Sequence, residues 1–283
     1  MISKKSLILA TGLTLSAIGL TACGDKTNSQ NDQTSSIEQI KKNDVIRVGV
    51  FADNPPFGYV DSQGKNQGFD IAIAKHIAKD LLGDENKIEY VVTEAANRVE
   101  FLKSDKVDVV LASFSVTPER KEVVDFAEPY LKASLGIASS QKNPINSVAD
   151  LENKTLIVNK GSSSDSYFTK NYPKVKLLKF EQNTDAFNAL KDGRGDAISQ
   201  DSTYALAWAA QNPGYVVGIP QIGNEDFIAP AVRKGNVELL NWLNTEIKQL
   251  RKSGEIQKIY DETLKPIYGG KVDSKIFLDV EGK

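Results

Sequence analysis

Side chains that enzymes and metal proteins commonly rely on are nearly missing from this sequence. Its 283 residues hold one cysteine, one histidine and one methionine. A single thiol cannot form an internal disulfide, and Cys23 with His76 is too small a set for a zinc or iron centre. No GxSxG, HExxH or GK[ST] pattern occurs, so neither a serine-hydrolase elbow, a zincin helix nor a P-loop is predicted. An excess of charge is absent as well. The 35 Lys and Arg stand against 37 Asp and Glu, a formal net charge of −2 that leaves no basic footprint for nucleic acid. Beyond the first residues no apolar run is long enough to span a bilayer.

The start of the chain, MISKKSLILATGLTLSAIGLTAC, has two lysines, an apolar stretch from Leu7 to Leu20 and small residues leading into Cys23. This is the pattern of a secretory signal, expected over 1–22 and excluded from the fold. Leu20-Thr21-Ala22-Cys23 resembles the bacterial lipobox, which implies cleavage before Cys23 and a lipid on that residue. The alternative is an ordinary secreted protein with an unpaired thiol in an oxidising compartment. Residues 23–42 contain GDKTNSQNDQTSSIEQ, too polar to order itself, and are expected to be a flexible tether.

From there strand and helix patterns alternate. VIRVGVF (45–51), KIEYVVT (87–93) and VDVVLAS (107–113) read as strands, and FDIAIAKHIAKDLL (69–82) and ANRVEFLKS (96–104) as helices. After ASLGIAS (133–139) the rhythm restarts with TLIVNK (155–160), KVKLLKF (174–180) and DAISQD (196–201), separated by helices through SYFTKNY and NTDAFNALKDG. VELLNWLNTEIKQLRKSGEIQKIYDETL (237–264) is helical with one apolar face. The fold class is α/β, in two units with a cleft between them. His76 falls on the polar face of its helix, and Trp208 and Trp242 read as packing residues.

Three places carry chemistry. Thr117-Pro118-Glu119 has a hydroxyl cap, Pro at the first helical position and then an acid, so Arg120 lies in the first turn of a helix at a strand's C-terminal end. A guanidinium beside unpaired N–H groups and hydroxyls suits a carboxylate. Against that stands a surface pairing with Glu119 or Asp125. Gly161-Ser162-Ser163-Ser164 opens a second helix whose N–H groups can hold an anion. Asp201 ends the last strand, either as the N-cap of STYALAWAAQN or as the partner of a ligand ammonium.

The ordered set VIRVGVFADNPPFGYVDSQGKNQGFDIAIAK, SFSVTPERKEVVDFAEPY, NKGSSSDSYF and RGDAISQDST resembles the polar amino-acid receptors of ABC importers, the family 3 extracellular solute-binding proteins, and the cysteine-binding members most of all. The resemblance implies a type II, two-lobed periplasmic-binding-protein-like fold, with lobe 1 built from 43–134 and 229–283, lobe 2 from 135–228, and hinges near Lys132–Ile137 and Asp226–Ala231. It implies that Arg120 grips an amino acid's carboxylate with Ser115 and the N–H groups of Ser162 and Ser163. Asp201 and the carbonyl of Ser113 receive the ammonium. Family members for larger ligands place aromatic plates where Asn54 and Ala95 stand here, a departure that favours a small or polar side chain. Arg98 and Asn183 are expected to line the side-chain end, Glu100 to be solvated, and Phe57 to reach the ligand. For Arg98 a surface salt bridge is the competing reading.

The function that follows is a lipid-anchored, extracytoplasmic receptor. It hands cysteine or cystine to membrane permease subunits, as a monomer without cofactor or metal, and is not an enzyme. An aspartate/glutamate receptor of the same family, a small carboxylic-acid lyase on the same scaffold with Asp201 or Glu100 as base, and a surface adhesin are the alternatives.

Overall fold

The computed structural model describes residues 36–269 and 274–280. The expected signal peptide, Cys23 and residues 24–35 lie outside the described residues. Helix α1 (Ser36–Asn43) falls within the stretch expected to be tether. It turns Ile37 and Ile40 inward, Ser36 Oγ donates to Asn236 Oδ1 at 2.7 Å, and the Ile37 amide donates to Glu238 at 3.3 Å. Two isoleucines three residues apart give this stretch the apolar stripe that 24–35 lacks, so the tether expectation is corrected over 36–42.

The chain then runs through β1 (Ile46–Val50), the short hairpin strands β2 (Asp53–Asn54), β3 (Gly58–Val60) and β4 (Asn66–Gln67), α2 (Phe69–Leu82), β5 (Ile88–Val92), α3 (Arg98–Lys103), β6 (Val109–Val110), α4 (Pro118–Lys121) and β7 (Val124–Phe126). The long β8 (Leu131–Ser140) leads to β9 (Thr155–Asn159), α5 (Ser163–Asn171), β10 (Lys176–Phe180), α6 (Asn183–Lys191), β11 (Ala197–Asp201) and α7 (Ser202–Gln211). The equally extended β12 (Tyr215–Ile228) returns to β13 (Ala231–Arg233), and α8 (Val237–Lys252), α9 (Glu255–Thr263), α10 (Lys265–Tyr268) and α11 (Lys275–Leu278) follow.

Among the described residues the strands form two five-stranded sheets, ordered β5-β1-β6-β13-β7 and β10-β9-β11-β8-β12, and a three-stranded hairpin sheet β2-β3-β4. The centre of the first sheet is parallel, β5 and β6 flanking β1. In β1 the alternating Ile46, Val48 and Val50 are fully buried, while Arg47 between them is partly open and pairs with Asp108. Between the two sheets the chain crosses on β8 and β12, which pair antiparallel down to Leu131 with Ile228 and carry register shifts between Val217 and Asp226. Both expected crossings fall on this ribbon.

Helix α2 shows why its sequence folds as it does. Phe69, Ile73, Ala74, Ile77 and Leu81 recur at helical spacing and are buried, and Gly83 ends the helix in the left-handed region. Gly68 precedes it at φ 119, where a Cβ would lie 2.3 Å from the Phe57 carbonyl oxygen, so only glycine fits. His76 faces α9 and lies 3.2 Å from Glu255. Trp208 stacks on Phe187 with centroids 4.4 Å apart, in keeping with a packing role.

If α1 belongs to the folded unit, Ile40→Ala removes a buried methyl cluster and should lower stability by about 2 to 3 kcal/mol. Urea denaturation reads this directly, and an unchanged midpoint would show that α1 does not pack.

Candidate ligand-binding site

The C-terminal ends of β1, β6, β9 and β11 and the helix starts after them meet in one place, where open α/β sheets hold small ligands. A narrow, largely enclosed cavity of about 30 Å³ lies there. The first sheet and its loops contribute Phe51, Asn54, Ala95, Arg98, Ser113 and Ser115; the second contributes Asn159, Ser162, Ser163, Asn183, Gln200, Asp201 and Tyr204. Eight of the nine ligand-site residues expected from sequence thus lie on the cavity or, in the case of Arg120, against its wall.

Arg120 is aimed by its cap. Thr117 Oγ1 accepts the Arg120 amide at 3.3 Å, and Pro118 presets the first turn. Nη1 donates to the Ser115 carbonyl at 2.8 Å and to Ser163 Oγ at 3.2 Å, and Nη2 to the Gly161 carbonyl at 3.1 Å. The guanidinium rests 4.8 Å from the Phe114 ring centre. It joins the two halves of the site and is no surface charge spent on Glu119 or Asp125. Burial pulls it down to about 10, and the charges of Asp201 and Asp226 oppose that shift, so it stays cationic at neutral pH.

Ser163 is the first residue of α5, and its amide has no acceptor inside its own helix. Its hydroxyl donates to Ser115 Oγ at 3.1 Å. Ser162 departs from expectation. Its amide donates to the Asn159 carbonyl at 3.1 Å, and its hydroxyl caps the helix by accepting from the Asp165 amide. A residue that closes the turn before a helix commits its own N–H to that turn, so the anion-facing amide is that of Ser163.

Asp201 makes no cap hydrogen bond to α7, which removes the N-cap reading. Burial raises its carboxyl from 3.8 to about 6, against the pull of the Arg98 and Arg120 charges. Ser113 stands at φ 44, a conformation uncommon for serine, and is held there by Asp70, which accepts its amide at 2.8 Å and its hydroxyl at 3.2 Å. Tyr130 donates to the other Asp70 oxygen at 2.9 Å. The Ser113 carbonyl accepts one bond from Arg98, and a carbonyl has a second lone pair to offer.

Arg98 is 3% exposed, which excludes the surface salt bridge. Its guanidinium donates to the carbonyls of Ala95, Ala112 and Ser113 and lies 4.4 Å from the Phe114 ring centre and 5.5 Å from that of Phe51. Burial and the Arg120 charge lower its pKa, with Asp201 and Asp70 opposing. Asn183 donates to Asp53 at 3.0 Å and accepts from Gln200 at 3.4 Å, while Gln200 also donates to Asn159. Glu100 is exposed. Phe57 is a correction: it is buried in the core, edge-on to Tyr204 with centroids 6.5 Å apart, and Phe51 forms the aromatic wall instead. Phe51, the residue directly after β1, lines the cleft, whereas the PPF turn folds its ring into the core.

Sequence reasoning missed Asp70, Asp53, Phe51, Gln200 and Asn159. For Asp70 a signal existed, because it shares the apolar stripe with Ile73, Ala74 and Ile77 at spacings of three, four and seven. Asp53 braces the site from the first sheet's side, accepting Asn183 Nδ2 and the Thr184 amide in the first turn of α6, at 3.0 and 3.1 Å.

A two-lobed α/β scaffold, with a cation and a carboxylate converging from different sheets on a small polar cavity, defines a receptor for a small zwitterion, and comparison with known proteins agrees. The chain matches the bacterial extracellular solute-binding proteins, family 3, over residues 46–266, and it belongs to that family. It is 33% identical to the ABC transporter glutamine-binding protein GlnH of Bacillus subtilis, over 93% of this chain and 98% of that one. It is similar to the solute receptor for L-cysteine of Neisseria gonorrhoeae, with 55% identity, a TM-score of 0.84 and coverage of 86% and 98%. The cysteine-binding protein from Campylobacter jejuni is similar at 53% identity and TM-score 0.85, again over 86% and 98%. The chain is therefore an amino-acid-binding receptor of an ABC importer, working outside the cytoplasm with a permease, and not an enzyme.

Raising the Asp201 pKa has a sign that can be measured. The folded chain holds this proton more tightly than the unfolded one, so the stability it contributes is complete below pH 3.8 and lost as pH rises through about 6. Asp201→Asn is expected to raise the Tm of ligand-free protein by a few degrees near neutral pH and to leave it unchanged near pH 4. Scanning calorimetry decides, and equal shifts at both pH values would contradict a desolvated carboxylate.

Proposed function

We propose that this receptor is lipid-anchored through Cys23 and binds a small polar L-amino acid, cysteine or cystine, between two lobes that close on it. The carrying observation is the shared cavity flanked by Arg120 from the first sheet and Asp201 from the second, since a buried zwitterion needs both charges paired or desolvation wins. In this reading Arg120, the Ser115 hydroxyl and the Ser163 amide hold the carboxylate, and Asp201 and the Ser113 carbonyl hold the ammonium. Arg98, Asn183 and Phe51 border the side chain. The lobes comprise 43–134 with 229–283, and 135–228, and the receptor works as a monomer.

Support for cysteine comes from three sides. Two similar solved structures are named for it, at 53% and 55% identity. Asn54 and Ala95 leave no aromatic plate for a large side chain. Arg98, the one feature that suits an acidic ligand, directs its donors at three backbone carbonyls. Closure follows from contacts that span the lobes, Arg120 with Gly161 and Ser163 and Asp53 with α6, to which a bridging ligand adds its own.

Titration calorimetry with cysteine, cystine, aspartate and glutamate under controlled redox conditions is the test. Heat from cysteine or cystine alone is expected; micromolar glutamate binding without either would overturn the ligand. Arg120→Ala is expected to weaken binding at least about thirtyfold, roughly 2 kcal/mol, and Arg120→Lys to bind poorly too, because a point charge does not reproduce the fork. Binding within twofold of the parent would refute the carboxylate role. Cys23→Ser should release the protein from membranes into the medium, and retention would count against the lipid.

A further inference from the structure

Resting on the amino-acid reading, we infer that Asn54 sets specificity by accepting a hydrogen bond from a donor at the end of the ligand's short side chain, so that the thiol form of the ligand is selected over the disulfide. Asn54 sits on β2, is 3% exposed and lines the cavity. Its Nδ2 donates to Ser113 Oγ at 3.3 Å, and Ser113 Oγ donates to Asp70 at 3.2 Å. A hydroxyl has one proton, and this one goes to the carboxylate, so Ser113 Oγ can only accept from Asn54. That fixes which way the amide faces, with Oδ1 turned from Ser113. Asn54 Oδ1 is buried and has no partner within the protein.

Two other amide oxygens on this wall are already taken. The oxygens of Asn159 and Asn183 both accept from Gln200, and Asn183 Nδ2 is taken by Asp53. An unmet acceptor on a residue that lines the cavity favours ligands that supply a proton and penalises those that present a methyl or a second sulfur in its place. Cysteine supplies S–H. Its isostere 2-aminobutyrate, with a methyl in place of the thiol, does not. Cystine carries no proton on sulfur.

The experiment is a calorimetric series of cysteine, serine, alanine, 2-aminobutyrate and cystine on the parent protein and on Asn54→Leu. The parent is expected to prefer cysteine over 2-aminobutyrate by at least about tenfold, and Asn54→Leu to bring that ratio close to one while its affinity for alanine stays within about threefold. Alanine has no side-chain donor, so its binding also reports that the variant's site is intact. If Asn54→Leu weakens cysteine, alanine and 2-aminobutyrate alike, the proton comes from the ammonium or the variant is misfolded. Circular dichroism separates these, and a folded Asn54→Leu variant with an unchanged preference for cysteine over 2-aminobutyrate overturns the inference. Cystine bound more tightly than cysteine, with no effect of Asn54→Leu, also overturns it. Should the parent bind none of the series, the amino-acid reading itself fails, and that result is distinct from a parent that binds cysteine and 2-aminobutyrate equally.

Discussion

Everything at the cleft depends on how one buried carboxylate is satisfied. Asp70 is 0% exposed, and burial raises its pKa while the Ser113 amide, the Ser113 hydroxyl and Tyr130 act against that rise. A buried acid is tolerated only where such donors surround it. These same bonds hold Ser113 at φ 44, where its carbonyl meets Arg98 and its hydroxyl meets Asn54. One charge at the start of α2 therefore orients a backbone carbonyl, a guanidinium and an amide in the cavity wall. The strain stored in Ser113 is of the kind that persists at ligand sites when the surroundings over-determine it.

From this rigid side the second sheet is approached through a few polar contacts. Arg120 reaches Gly161 and Ser163, and Asp53 reaches the first turn of α6. Gly161 stands at φ 72, and a Cβ there would lie 2.7 Å from Ala96 Cα in the facing loop, so the lobes approach to backbone distance at that point. Such polar contacts, partly open to water, are individually weak. An arrangement held by such contacts is sensitive to any further contact that bridges the two sheets. In the ribbon of β8 and β12 register shifts interrupt the regular ladder between Val217 and Asp226.

How much of this was legible in the sequence depends on whether a residue's role was local. The cap at Thr117 and the proline after it are local grammar, and they located Arg120 on the correct helix turn. The parallel strands were legible because they hold short aliphatic and β-branched clusters such as Val109-Val110 and Leu156-Ile157-Val158, all buried. Asp70 was not read as buried, since an acid in a helix's first turn is also what the helix dipole favours at a solvated end. Phe57 and Phe51 stand six residues apart around one turn, and composition does not say which ring faces the cleft. The Ser162 amide was misassigned because a Gly-Ser turn shows only that N–H groups cluster, not which of them closes the turn. The hairpin strand β2 has two residues, too few for a period, yet these are Asp53 and Asn54.

The charges around the cavity argue for a ligand with no net charge. Arg98 and Arg120 are both cationic and repel each other, and Asp201 and Asp70 lie close enough to act on Arg98 while Asp201 and Asp226 act on Arg120. Asp201 is pushed upward by Asp226 and Asp70 as well as by burial, so acids and guanidiniums already act on one another around the cavity. An amino-acid zwitterion adds one charge of each sign and leaves the net charge where it was. A second carboxylate would have to be desolvated beside amides that are already paired and beside Arg98, whose donors are directed at the carbonyls of Ala95, Ala112 and Ser113. The cost of burying an ion is met only by partners able to turn to it, and Arg98 is held between two aromatic rings. Cationic crowding near the cleft is thus taken up by the wall itself: the guanidinium of Arg98, which in the sequence suggests an acidic ligand, spends its donors in the fold on three backbone carbonyls.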